Sequence, residues 1–183
     1  MRWVAFFSQT GSEILEVSKT LDRFPDVVLY NTNFGTKPPI NIELITELNT
    51  RNIPLHILPD RPRLQDYKMI LQEGDLITLH GWLRIIPPEI CESFNIYNGH
   101  PGLITENPEL KGQDPQKKAY ELGLPFSGCV IHKVTAEVDA GEIVLAEEIK
   151  IEKLELDVII NVLHDTSIKL WVKFLEEKNE NND

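Results

Sequence analysis

Short apolar runs alternate with stretches of helical periodicity over the first eighty residues, and this alternation restricts the chain to one kind of architecture. Trp3-Val4-Ala5-Phe6-Phe7, Val27-Val28-Leu29-Tyr30, Pro54-Leu55-His56-Ile57-Leu58 and residues 75–80 read as strands. Between them Ile14, Leu15, Val17 and Leu21, then Ile42, Leu44, Ile45 and Leu48, then residues 64–71 mark three helices. Ser12 is the expected N-cap of the first. Strand–helix–strand units predict an α/β fold: a mostly parallel, Rossmann-like sheet with helices on both faces.

The texture changes after Gly81. Pro87-Pro88 opens a short helix, residues 94–98 form a strand, and 101–115 is irregular. Residues 117–122 make a helical turn or two. Residues 128–135 and 142–151 are strand-like, and 158–175 is a closing helix. The predicted organisation is one catalytic domain over 1–183. It has a Rossmann-like part (1–98), a C-terminal strand and helix subdomain (99–175) and a solvated acidic tail (176–183).

Composition excludes several functions. With 18 basic and 29 acidic side chains the net charge is −11, which argues against wrapping a nucleic-acid backbone. No apolar run is long enough to span a bilayer, and Met1-Arg2-Trp3 leads straight into strand-like sequence. A reducing cytoplasm is the expected compartment, with Cys91 and Cys129 as buried thiols rather than a disulfide. The five histidines show no H-E-x-x-H or short-spaced pairing, so no metal is expected.

Three places can carry chemistry. Ser8-Gln9-Thr10-Gly11-Ser12 joins the first strand to the first helix, where backbone N–H groups and the helix dipole can hold an anion. It has one glycine and no Walker lysine, so an ordinary βα turn fits the spacing as well. Glu13 adds a negative charge that works against a phosphate unless its side chain turns away. Asn98 and His100 stand two apart at the end of a strand, so both side chains face one side. An amide donor beside an imidazole suits a developing oxyanion; a turn asparagine and a surface histidine are the plainer alternative. Asp139 lies in an acidic turn between two strands. A carboxylate there orients an imidazole, or bonds its own backbone. His132 alternates with apolar residues in 129–134 and reads as a satisfied core or supporting group.

Together these residues resemble the folate-dependent formyltransferase family, most closely the members that formylate glycinamide ribonucleotide. The resemblance rests on Asn98-x-His100-Pro101, then Gly128-x-x-x-His132-x-Val134-Thr135-x-x-x-Asp139-x-Gly141. His80-Gly81-Trp82-Leu83-Arg84-Ile85-Ile86 looks like the family's folate-contacting segment. The resemblance implies formyl transfer from 10-formyltetrahydrofolate to a primary amine, with Asn98, His100 and Asp139 catalytic. It implies a pterin slot formed by Trp82, Leu83, Arg84, Ile86, Val138, Ala140 and Gly141. The acceptor would be a small amine, phosphorylated or not, held by Thr10, Gly11, Ser12, Glu13 and Asp165, glycinamide ribonucleotide of purine biosynthesis first. An amino sugar nucleotide as acceptor, or hydrolysis of the formyl donor, is the alternative. The protein would act without nucleic acid, membrane or metal, as a monomer or homodimer.

His100-Pro101-Gly102-Leu103-Ile104-Thr105 and the loop after it depart from the family's usual run, and Glu13 stands where its glycinamide enzymes carry Asn. These departures bear on the acceptor more than on the chemistry.

Overall fold

β1 (Trp3–Phe7) exposes almost nothing on either face, the mark of a strand covered on both sides. The computed structural model describes residues 1–31, 39–137 and 139–180, and the chain divides into two compact units, Met1–Asn98 and a second beginning at Gly99. In the first unit β1 is followed by α1 (Ser12–Leu21), β2 (Val27–Asn31), α2 (Ile42–Thr50), β3 (Leu55–Leu58), α3 (Leu64–Lys68), β4 (Leu76–His80), α4 (Pro88–Ser93) and β5 (Asn95–His100). The strands run parallel in the order β3-β2-β1-β4-β5, so the chain starts in the middle of the sheet and is laid down to either side. Every residue of β2 and β4 is also buried.

The register sets Phe7 beside His80, at the carboxyl ends of β1 and β4. The core around them holds Trp3, Phe6, Phe7, Ile14, Leu29, Leu44, Leu48, Tyr67 and Ile77, each nearly inaccessible.

Two helix boundaries differ from expectation. The N-cap of α1 is Gly11 rather than Ser12, in a left-handed conformation with φ +76°. A side chain there would come within 2.4 Å of Leu44 Cδ2, so only glycine lets the turn close against α2. α3 ends at Lys68, three residues short of the predicted end.

The second unit contains a 3-10 turn (Pro108–Leu110), α5 (Pro115–Glu121), the antiparallel pair β6 (Phe126–Lys133) and β7 (Ile143–Lys150), and α6 (Leu156–Glu180). α6 lies along both strands and buries Ile159, Leu163, Leu170, Trp171, Phe174 and Leu175. It continues past the predicted end at 175. Residues to Glu180, expected as a loose tail, are helical, and Lys178 Nζ sits 5.4 Å over the Phe174 ring one turn back. The mixed α/β fold therefore combines a five-stranded parallel sheet with an antiparallel pair.

Candidate active site

The geometry begins with one committed proton. His100, at the end of β5, is 6% exposed, and its Nε2 lies 2.7 Å from the Leu110 carbonyl oxygen. A carbonyl only accepts, so Nε2 carries a hydrogen and donates it. In the neutral ring Nδ1 then holds a lone pair. That atom faces Asp139, whose Oδ2 is 3.7 Å away. The distance is too long for a direct hydrogen bond and short enough for a strong charge interaction once the ring takes a proton.

Asp139 sits in the turn before β7 with φ +50°, a left-handed conformation that short polar side chains tolerate. Its carboxylate is held from two directions. The Gly112 N–H donates to Oδ2 at 2.9 Å, and His132 Nε2 lies 3.3 Å from Oδ1. His132 is itself held, with Nδ1 3.1 Å from the Lys133 carbonyl. A charged His132 ring donates to both acceptors; a neutral ring serves only one. A register shift between Ile131 and His132 in the β6–β7 pair accompanies this placement. Gly141 is required beside it, because a Cβ there would lie 1.6 Å from the Lys133 oxygen.

The electrostatics follow from burial and partners. Burial disfavours the charged form of His100 and pushes its pKa below the ordinary 6.5, although Asp139 and the Leu110 carbonyl pull the other way. Burial alone would raise the pKa of Asp139. The hydrogen bonds from His132 and Gly112 and the two nearby imidazoles outweigh it, so the carboxyl falls to about 2. The result is an ionised acid facing an imidazole that is neutral at pH 7, with its lone pair toward the acid. Such a pair can accept a proton and stabilise the charge it creates.

Asn98 is half-buried in β5, in register with Leu79 of β4, two residues before His100 on the same strand. In the 82–86 segment Trp82 is buried, with its ring edge-on to Phe6 at 5.2 Å. The Leu83 N–H donates to Ser8 Oγ at 3.1 Å. The Arg84 guanidinium is fixed on Asp60, through Nε to the carbonyl at 2.7 Å and Nη2 to the carboxylate at 2.5 Å. Ile86 is buried. Val138 lies outside the described residues; Ala140 is exposed and Gly141 half-buried.

At the β1–α1 turn, Thr10 Oγ1 accepts from the Ser12 N–H at 3.2 Å, and Asn41 Nδ2 donates to Ser12 Oγ at 3.1 Å. The Glu13 carboxylate is turned onto His80, with Oε1 2.7 Å from Nδ1. Asp165 is exposed on α6. His80 emerges as a supporting group that spacing could not single out, and His132 as the supporting group its alternation allows. The alternation around His132 showed that it faces inward, but not which carboxylate it meets.

A buried imidazole at the end of β5 and a pinned carboxylate in the turn before β7 give this α/β protein a site able to hold and move a proton. The chain belongs to the formyl transferase family, whose model matches residues 61–173. The trifunctional purine biosynthetic protein adenosine-3 of Homo sapiens is 33% identical over 89 residues, 46% of this chain and 8% of that protein. The phosphoribosylglycinamide formyltransferase of Dictyostelium discoideum is 39% identical over 85 residues, 42% of this chain and 41% of that protein. The matched stretches thus span less than half the length of these curated relatives. The crystal structure of phosphoribosylglycinamide formyltransferase from Anaplasma phagocytophilum has the same fold, with a TM-score of 0.79 at 22% identity over 96% of this chain and 85% of that one.

Proposed function

We propose that this protein transfers a formyl group from 10-formyltetrahydrofolate to a primary amine, and that the amine is glycinamide ribonucleotide in purine biosynthesis. The single observation that carries the reading is the His100–Asp139 pair: an imidazole with its Nε2 proton committed to Leu110 and its Nδ1 facing an ionised carboxylate at 3.7 Å. Similarity to the phosphoribosylglycinamide formyltransferase of Dictyostelium discoideum supports the acceptor.

The amine nitrogen attacks the formyl carbon, forming the C–N bond while the carbonyl electrons move onto oxygen. Asn98 donates its amide N–H to that oxyanion. Nδ1 of His100 takes the proton the amine must lose, and the imidazolium is stabilised by Asp139. When the oxyanion collapses, the bond to the folate nitrogen breaks and that nitrogen takes the proton back from His100. The product is a formamide and tetrahydrofolate. Trp82, Leu83, Arg84, Ile86, Val138, Ala140 and Gly141 are assigned to the folate, and Thr10, Gly11, Ser12 and Asp165 to the acceptor, with the Glu13 carboxylate at the same turn held on His80. No metal takes part in these steps. The protein acts in the cytoplasm as a monomer or homodimer.

The test incubates the purified protein with the formyl donor and either glycinamide ribonucleotide, a panel of amino sugar nucleotides, or no amine, and reads product mass and tetrahydrofolate release. Formylated glycinamide ribonucleotide is the expected product. Transfer to an amino sugar alone, or formate release without any amine, overturns the acceptor or the transfer, respectively.

A further inference from the structure

Gly99 stands between Asn98 and His100 in β5, and the place where its side chain would be is taken. An ideal Cβ on Gly99 would lie 2.7 Å from Nε1 of Trp171 and 3.1 Å from Cε2 and Cζ2. Real contacts of that kind are too close, so the indole and the strand backbone fit only because residue 99 is glycine. Side chains alternate across an extended strand. The indole therefore bears on the side of β5 opposite to that of residues 98 and 100. Trp171 is fully buried on α6, and its ring is fixed edge-on to Phe174 at 5.7 Å and 81°. On the imidazole's own side the packing is ordinary: a Cβ on Gly102 would lie 3.4 Å from His100 Cδ2, a normal van der Waals contact.

We propose that Trp171 is a positioning residue for the reacting strand: its indole fills the place of the side chain that Gly99 lacks and sets where β5 carries His100. Trp171 meets no reacting atom in this role. It acts through the backbone at Gly99, and α6 becomes the rigid support behind the site rather than a mere cover for β6 and β7. This inference rests on His100 serving formyl transfer as proposed above.

The test uses the full chain and five variants: Trp171→Leu, Trp171→Phe, Trp171→Ala, Gly99→Ala and the swap Gly99→Val/Trp171→Ala, which moves bulk from helix to strand. Misplacement of a reacting group by about 1 Å costs on the order of 10²-fold. Trp171→Leu and Gly99→Ala are expected to lower kcat by about 10–100-fold, with KM for the donor changed by less than about threefold. Trp171→Phe should retain most of the activity, and the swap should regain at least about tenfold over Trp171→Ala alone. The pH titration of the His100 ring, followed by NMR, should move in Trp171→Leu and return in the swap.

Folded Trp171→Leu and Gly99→Ala proteins with wild-type kcat and an unmoved His100 titration would overturn the proposal. If Trp171→Leu does not fold, Gly99→Ala decides by the same two readouts. A wild-type protein that transfers no formyl group defeats the function, while the His100 titration still tests the support by Trp171.

Discussion

His80 Nδ1 lies 2.7 Å from Glu13 Oε1, so the one negative charge in the β1–α1 turn is tied to a fully buried imidazole. The direction of the bonds is set two residues away. The Trp3 indole N–H can only donate, and it does so to Thr78 Oγ1 at 2.8 Å. The Thr78 hydroxyl is then able to donate to His80 Nε2 at 2.9 Å, which leaves Nδ1–H for Glu13. The Glu13 carboxylate at the β1–α1 turn thus has a partner inside the fold.

Freeing that carboxylate should therefore harm a phosphorylated acceptor. His80→Ala is expected to raise KM for glycinamide ribonucleotide about tenfold, the effect of roughly 1.4 kcal/mol of like-charge repulsion, with kcat little changed. Adding Glu13→Gln should bring KM back. Steady-state kinetics of the two variants check this, and a KM that stays high in the double variant rejects the electrostatic cause.

Asn98→Ala and His100→Ala should each lower kcat by about 10²–10³-fold without changing the melting temperature by more than a few degrees. The rate should also fall in acid as Nδ1 of His100 takes a proton. Burial depresses this pKa, so the midpoint of the acid limb is expected below 6.5. Between that midpoint and 6.5 the unfolded chain holds the proton and the folded chain does not. Stability contributed by this group therefore rises with pH through the same window, and His100→Gln should flatten the slope. Rate and unfolding measured from pH 5 to 8 report both effects.

Asp139 gives acid sensitivity of the same sign in a lower pH window. Its folded pKa of about 2 is below the ordinary 3.8, so its stabilising contribution is complete above pH 4 and disappears as pH falls toward 2. Asp139→Asn should remove that part of the acid unfolding curve and lower kcat by roughly 10²-fold. Melting temperatures across pH 2–6 separate the variant from the parent.

Gly141→Ala is expected to destabilise the protein by more than about 2 kcal/mol, because its Cβ would meet the Lys133 oxygen at 1.6 Å and the backbone must move. The carbonyl that would shift is the one holding His132 Nδ1, so loss of activity should exceed what the fraction unfolded explains. Urea unfolding combined with rates on the folded fraction tests this.

Much of the fold is legible from pattern alone. β1, β2 and β4 are read from continuous apolar runs because strands buried on both faces have no polar side to show. The spacing predicts the first helix to within one residue but not its cap. Ser12 has the right chemistry for a cap, but the close approach of Leu44 to Gly11 decided the boundary. The far end of α6 reads as tail because its residues are mostly charged, and the Lys178–Phe174 contact is invisible until the helix is built.

Taken by itself, the order of residues determined the α/β class, the residue types available for catalysis, and their family resemblance. Periodicity is a local property, and motifs survive as text. Tertiary structure alone decided that Asp139 meets both His100 and His132, that Glu13 is bound by His80, and that Trp171 backs onto Gly99. Each of these joins residues far apart in the chain, and such contacts depend on packing and strand register, which no local spacing encodes.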